Sequence, residues 1–223
     1  MKTRIIAIDG PAGSGKSTTA KLAAKKLGFL YLDTGAMYRA ITLKVLEKGL
    51  DPKSEAEVSR IARSSSLQIK QVDGSNKILL DGKDITEKIR TPQIDENVSF
   101  VSEHRMVREI LVNLQREIGE NQDVVVEGRD ITTVVFPDAF LKIYLDCNLE
   151  ERARRKAVEF KEKSISTSFE DQKKRIASRD EIDSSRKFSP LKKEDGVFTI
   201  DTTYLTIEQQ VEKVMQIYRE AIS

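Results

Sequence analysis

Residues 10–17 read Gly-Pro-Ala-Gly-Ser-Gly-Lys-Ser, the spacing G-x-x-x-x-G-K-[ST], and no other stretch constrains the chain as tightly. Glycines in that spacing let backbone N–H groups turn inward and wrap phosphate oxygens without Cβ clashes. The flanking residues supply the frame such a loop needs. Residues 4–9 (RIIAID) are a β-branched apolar run that stops at Gly10-Pro11, as a buried parallel strand does. Residues 17–27 carry apolar or small side chains at helical spacing and end at Gly28, a natural C-cap. A helix starting at the loop presents its N-terminal dipole and free N–H groups to the same anion. Lys16 would bridge the β- and γ-phosphates of a nucleotide, and the Ser17 hydroxyl would ligate Mg²⁺.

Strand and helix patterns alternate through most of the remaining chain. Apolar runs at 29–33, 124–127, 141–146 and 197–201 predict four further strands, and a helix is expected from about 36 to 48. Asn148 with Glu151, and Thr206 with Gln209, form capping boxes for a helix reaching about residue 162 and for the last helix. Such alternation implies a parallel sheet covered by helices on both faces. Two stretches interrupt it. Residues 67–84 predict short antiparallel strands (LQIKQV, KILL) with turns at 73–76 and at Asp81-Gly82. From Arg152 to Lys187 runs a helical segment with twelve Lys/Arg against seven Asp/Glu, while the whole chain of 223 residues carries only +2. So even a balance gives no argument for nucleic acid as a partner. One cysteine, Cys147, and one histidine, His104, exclude a disulfide framework and a Cys/His zinc site. No apolar stretch approaches the ~20 residues of a membrane span, and a cytoplasmic protein is expected.

A phosphate loop does not name its acceptor. Asn-Lys-x-Asp is absent, which argues against a GTPase, and the size favours a small-molecule kinase. Three blocks narrow this further: IDGPAGSGKST at 8–18, LDTGAMYR at 32–39 and EGRDITTVVFPDA at 127–139. In order and spacing the chain resembles bacterial CMP kinases. The likeness continues through KIYLD at 142–146, Arg179-Asp180, Ser185-Arg186 and TTYLTIEQ at 202–209, nearly the whole length. It implies an α/β P-loop nucleoside-monophosphate-kinase fold: a five-stranded parallel sheet flanked by helices, a small β-containing insertion that binds the monophosphate, and a helical lid. The core would be 1–64, 104–150 and 190–223, the insertion about 65–103 and the lid about 151–189. The activity implied is transfer of the ATP γ-phosphoryl group to CMP or dCMP with Mg²⁺, in pyrimidine nucleotide metabolism, by a monomer. Kinases for UMP, GMP or shikimate, and a nucleotide-dependent switch protein, are the rivals.

The resemblance also places roles on residues. Gly10, Pro11, Ala12, Gly13, Ser14, Gly15, Lys16, Ser17 and Thr18 would hold ATP, joined by Arg154 and Arg155. Thr34, Tyr38 and Arg39 would meet the acceptor phosphate, with Gly128 and Arg129 beyond the third strand, where open α/β sheets bind ligands. Arg179 and Arg186, from the basic segment, would close on the transferring group. Together with Lys16 and Arg129 they make the catalytic set, since guanidinium groups hold phosphate oxygens bidentately and stay protonated. Ser99, Arg108 and Asp130 would read cytosine, and Asp183 the sugar hydroxyl. Asp33 closes the second strand, where holding a metal-bound water and capping the next helix are equal alternatives. No acidic Walker B residue stands out. Two departures from the family pattern are Thr34, where serine is common, and Thr132, where glycine is. The Cβ at 132 is expected to alter how the backbone near Asp130 approaches the base.

Overall fold

The computed structural model describes residues 3–72, 75–162 and 167–223. The chain begins β1 (Ile5–Asp9), α1 (Lys16–Leu27), β2 (Leu30–Asp33), α2 (Thr34–Glu47) and α3 (Glu55–Arg63). Then come β3 (Leu67–Val72), β4 (Ser75–Leu80), β5 (Lys83–Asp84), α4 (Pro92–Glu103) and α5 (Arg105–Asn121). It closes with β6 (Val124–Gly128), a π-helical turn (Ile131–Val135), β7 (Leu141–Asp146), α6 (Leu149–Glu162), α7 (Phe169–Ser185), β8 (Phe198–Asp201) and α8 (Ile207–Ile222).

Five strands form one parallel sheet in the order β2-β6-β1-β7-β8. Their alternation explains the layering. Ile6 and Ile8 of β1, with Val125 and Ile143, turn to one face, where Ala20, Ala23 and Ala24 of α1 and Val214 and Tyr218 of α8 cover them. Ala7, Val124 and Val126 turn to the other face, under Met37, Ala40 and Ile41 of α2 and Leu111 of α5. Because both faces are buried, these strands read as unbroken apolar runs. Alanines on α1 let that helix lie close to the sheet.

The interruption at 67–84 is a three-stranded antiparallel sheet, β3-β4-β5, whose Leu67, Ile78 and Leu80 join the second cluster. Asp81 and Gly82 both take positive φ, +50° and +79°, as a two-residue hairpin of this twist requires. Asp73 and Gly74 of the first expected turn lie outside the described residues. The carboxyl ends of β1, β2 and β6 open on one edge, followed at once by the glycine loop, Thr34 and the Gly128-Arg129-Asp130 run.

Candidate active site

The loop at 10–17 leaves no room for side chains where it is glycine. A Cβ on Gly10 would stand 2.1 Å from the Leu145 carbonyl oxygen. Gly15 caps α1 with φ +91°, a conformation that favours glycine. Lys16 folds back on the loop, donating to the Pro11 carbonyl at 2.7 Å. Burial, reinforced by Arg129, pushes its amine down to about 7, against the pull of Glu127 and Asp9. The loop is clamped from outside. Thr202 donates to the Ser14 carbonyl at 2.9 Å, and Arg152 reaches the Ala12 carbonyl at 3.1 Å while pairing with Asp180 at 2.6 Å.

Acids end the strands around this loop. Glu127, at the end of β6, accepts from the Ser17 hydroxyl at 2.6 Å and from Tyr31 at 3.3 Å. Burial raises its carboxyl above the usual range, and nearby Asp33 adds to this. Here is the strand-end acid beside Ser17 that no motif singled out. Its signal was present: the apolar runs IIAID, LYLD and VVVE each close on a carboxylate. Asp33 spends one oxygen capping α2 through Ala36 N–H at 2.9 Å and the other on Arg90 at 2.6 Å. Asp9 accepts from the N–H groups of Ile131 and Thr132 and from the Thr132 hydroxyl, at 2.9, 2.7 and 2.7 Å. Thr132 is thus tied to β1 through Asp9.

Around the end of β6 gathers a set of buried cations. Arg129 binds Asp183 of α7 at 2.9 Å, and Arg179 stands 3.8 Å from the same carboxylate. Arg186 lies 3.8 Å from both Asp183 and Asp130. Arg108 of α5 pairs closely with Asp130 and donates to the Ser102 carbonyl at 3.0 Å. Its guanidinium also sits 5.3 Å from the centre of the Tyr38 ring. Burial, with Arg129 and Arg39 beside it, lowers Arg179 to about 10. Burial and Arg108 lower Arg186 likewise. Arg108 Nε, Arg179 Nε and Arg186 Nη2 are buried and find no hydrogen-bond partner among the described residues. Buried donors of this kind are costly unless something polar meets them.

The remaining expected residues are placed as follows. Thr34 donates to the Glu127 carbonyl at 2.8 Å, and Ser99 is buried on α4. Arg39 pairs with Asp95 at 2.5 Å. Arg154 forks onto Glu151 with both contacts at 2.7 Å and is largely exposed. Arg155 also meets Glu151 and reaches the Thr202 carbonyl at 2.6 Å, so it borders the loop that clamps Ser14. Thr18 is exposed at the start of α1. One edge of the sheet thus offers the glycine loop, a hydroxyl beside a carboxylate, and a cluster of guanidinium groups with unmet donors.

A family profile described as cytidylate kinase matches residues 6–220. The chain is 51% identical over 215 residues to a cytidylate kinase of Caldanaerobacter subterraneus subsp. tengcongensis, covering 96% of this chain and 94% of that one. It is 46% identical over 218 residues to a cytidylate kinase of Bacillus cereus, covering 97% of each. Among solved structures, a gluconokinase from Sinorhizobium meliloti 1021 aligns with a TM-score of 0.53 at 12% identity, over 99% of this chain and 94% of that one. At that identity the likeness concerns the fold alone.

Proposed function

The chain belongs to the cytidylate kinase family, and from that premise we propose how this fold carries out the family reaction. It is a phosphotransferase: the γ-phosphoryl group of ATP passes to the phosphate of CMP or dCMP, giving ADP and CDP or dCDP. An oxygen of the acceptor phosphate attacks the γ-phosphorus in line, and the bond to the β-bridging oxygen breaks. No protein nucleophile is needed, so catalysis consists of positioning and charge neutralisation.

In this reading residues 10–18 hold the donor phosphates, and Lys16 leaves the Pro11 carbonyl for their β- and γ-oxygens. Arg154 and Arg155 flank the donor side. Thr34, Tyr38, Arg39, Gly128 and Arg129 receive the acceptor phosphate, and Arg179 and Arg186 span the transfer. Ser99, Arg108 and Asp130 face the base, and Asp183 the sugar. The observation that carries this reading is the trio of buried donors on Arg108, Arg179 and Arg186 without a hydrogen-bond partner among the described residues, which an anionic nucleotide would satisfy. The insertion at 65–103 and the lid at 151–189 would close over the two substrates and exclude water.

Mg²⁺ fits the oxygen donors at hand: the Ser17 hydroxyl with the Glu127 carboxylate 2.6 Å away. Among the described residues no group of three or more His, Cys, Asp or Glu is arranged to hold a metal, and Mg²⁺ typically keeps waters and substrate phosphates as ligands. When bound, it neutralises phosphate charge. Asp33, with both oxygens engaged, is a poorer donor than Glu127. No helix of the described residues is long and apolar enough to cross a membrane. We place the enzyme in cytoplasmic pyrimidine nucleotide metabolism, as a monomer. An ADP-release assay with a panel of acceptors tests the reaction: CMP and dCMP should be preferred, and preference for UMP, GMP or shikimate would overturn the base assignment.

A further inference from the structure

Asp95, in the first turn of α4, has no part in the reading above. Its Oδ1 accepts from Arg39 Nη2 at 2.5 Å, and its Oδ2 faces Lys156 Nζ at 3.8 Å. The three side chains are only 20%, 12% and 26% exposed, so solvent screens them less than an open surface pair. Burial opposes a charge on Asp95, yet Arg39, Lys156 and the more distant Arg179 hold its carboxyl below the usual range. Cations from three elements therefore converge on one carboxylate: Arg39 from α2, Lys156 from α6 and Arg179 from α7. Next to it, Glu96 meets Arg175 of α7 at 2.9 Å. Lys156 also pairs with Glu159 on its own helix at 2.9 Å, so Asp95 is not what keeps it in place. Arg39 depends on Asp95 more. Its other described contact is a long one, 3.4 Å to the Ile89 carbonyl. A guanidinium is a rigid fork, so fixing one edge aims the other.

We infer that Asp95 is a positioning residue for the acceptor: it fixes the Arg39 fork for the acceptor phosphate and, through Lys156, ties lid helix α6 to the acceptor side. The inference rests on CMP being the acceptor. It assigns a lysine of the proposed lid to the acceptor side.

Steady-state kinetics with each substrate varied in turn tests it. Asp95→Asn should raise KM for CMP about ten-fold, with KM for ATP and kcat within about two-fold. Asp95→Glu should restore part of the loss. Lys156→Gln should raise KM for CMP about two- to three-fold and leave KM for ATP unchanged. That effect should vanish when Asp95→Asn is already present, as coupled neighbours require. A fall in KM for CMP would mean that Asp95 competes with the phosphate, and it would overturn the inference. So would equal rises for both substrates, or no change. If Asp95→Asn fails to fold, Lys156→Gln alone decides. Wild-type protein that releases ADP with another acceptor, and not with CMP, defeats the functional reading instead, and the same KM ratios taken with that acceptor then judge Asp95.

Discussion

Lys16 shows how a single residue couples the loop to its ligand. Burial of its amine against the Pro11 carbonyl, with Arg129 and Arg179 opposing its charge, pushes it down to about 7. Donor phosphates would restore the charge and raise the pKa again. Binding a triphosphate at pH 8 should therefore take up close to one proton, since about nine-tenths of the free amine is neutral one unit above its pKa. At pH 6 the amine is already charged, so the uptake due to Lys16, read as the difference from Lys16→Ala, should be near zero. Calorimetric titration in buffers of different ionisation enthalpy reads this directly, and Lys16→Ala should abolish both the pH-8 uptake and turnover. An uptake independent of pH would reject the shift. The place of Lys16 in the loop was legible in the sequence because the motif has a fixed spacing. That of Glu127 was not. Its position opposite Ser17 depends on β6 lying next to β1, a neighbour relation between strands more than a hundred residues apart. The same holds for Asp95 and Arg90, whose partners come from elements distant in sequence.

At the scale of elements, the strands and the helices next to the loop were readable to within about two residues, because buried parallel strands are continuous apolar runs and their ends carry caps. The pair α4 and α5 was less so: His104 is at once the C-cap of one and the N-cap of the other, with no glycine between them to mark a break. The π-helical turn after β6 has no periodic signature at all, and a tertiary contact holds it, the Asp9 carboxylate taking two of its N–H groups and the Thr132 hydroxyl. Burial raises the Asp9 carboxyl to about 6 although these three bonds favour its charged form. A carboxyl raised in the folded state adds stability at pH values below its unfolded pKa, and that contribution is lost as pH rises through about 6. Thr132→Val keeps the shape but removes one donor to the carboxylate. It should cost about 2 kcal/mol at pH 7.5, and less at pH 5, where Asp9 becomes protonated and no longer needs the donor. Urea unfolding at the two pH values measures it, and an equal loss at both would show that the hydroxyl does not support the ionised carboxylate.

For the whole molecule, the question is what holds the proposed lid to the core. α6 and α7 follow each other in the basic segment, and of α7 only Gln172, Ile176 and Asp183 are buried. One apolar side chain of three gives little hydrophobic adhesion. Its ties to the core are ionic: Asp183 to Arg129, and Arg186 at its C-cap to Asp130. The same arginines are those expected to meet phosphate, so substrate and lid share one set of charges. A helix held this way opens at low cost and is fixed when phosphates neutralise the surplus cations between it and the sheet. Residues 161–178, in the middle of this segment in sequence, should then report closure. A bisubstrate analogue joining adenosine to cytidine through phosphates, at a hundred times its Kd, favours the closed form by up to about 100-fold if it binds that form alone. Limited proteolysis within 161–178 should slow by up to that factor. ATP alone should slow it less, because the acceptor-side charges on Arg39, Arg129 and Arg186 would stay unmatched. If nicking ran equally fast with and without the analogue, the segment would not be a lid, and water would have to be excluded by the insertion at 65–103 alone.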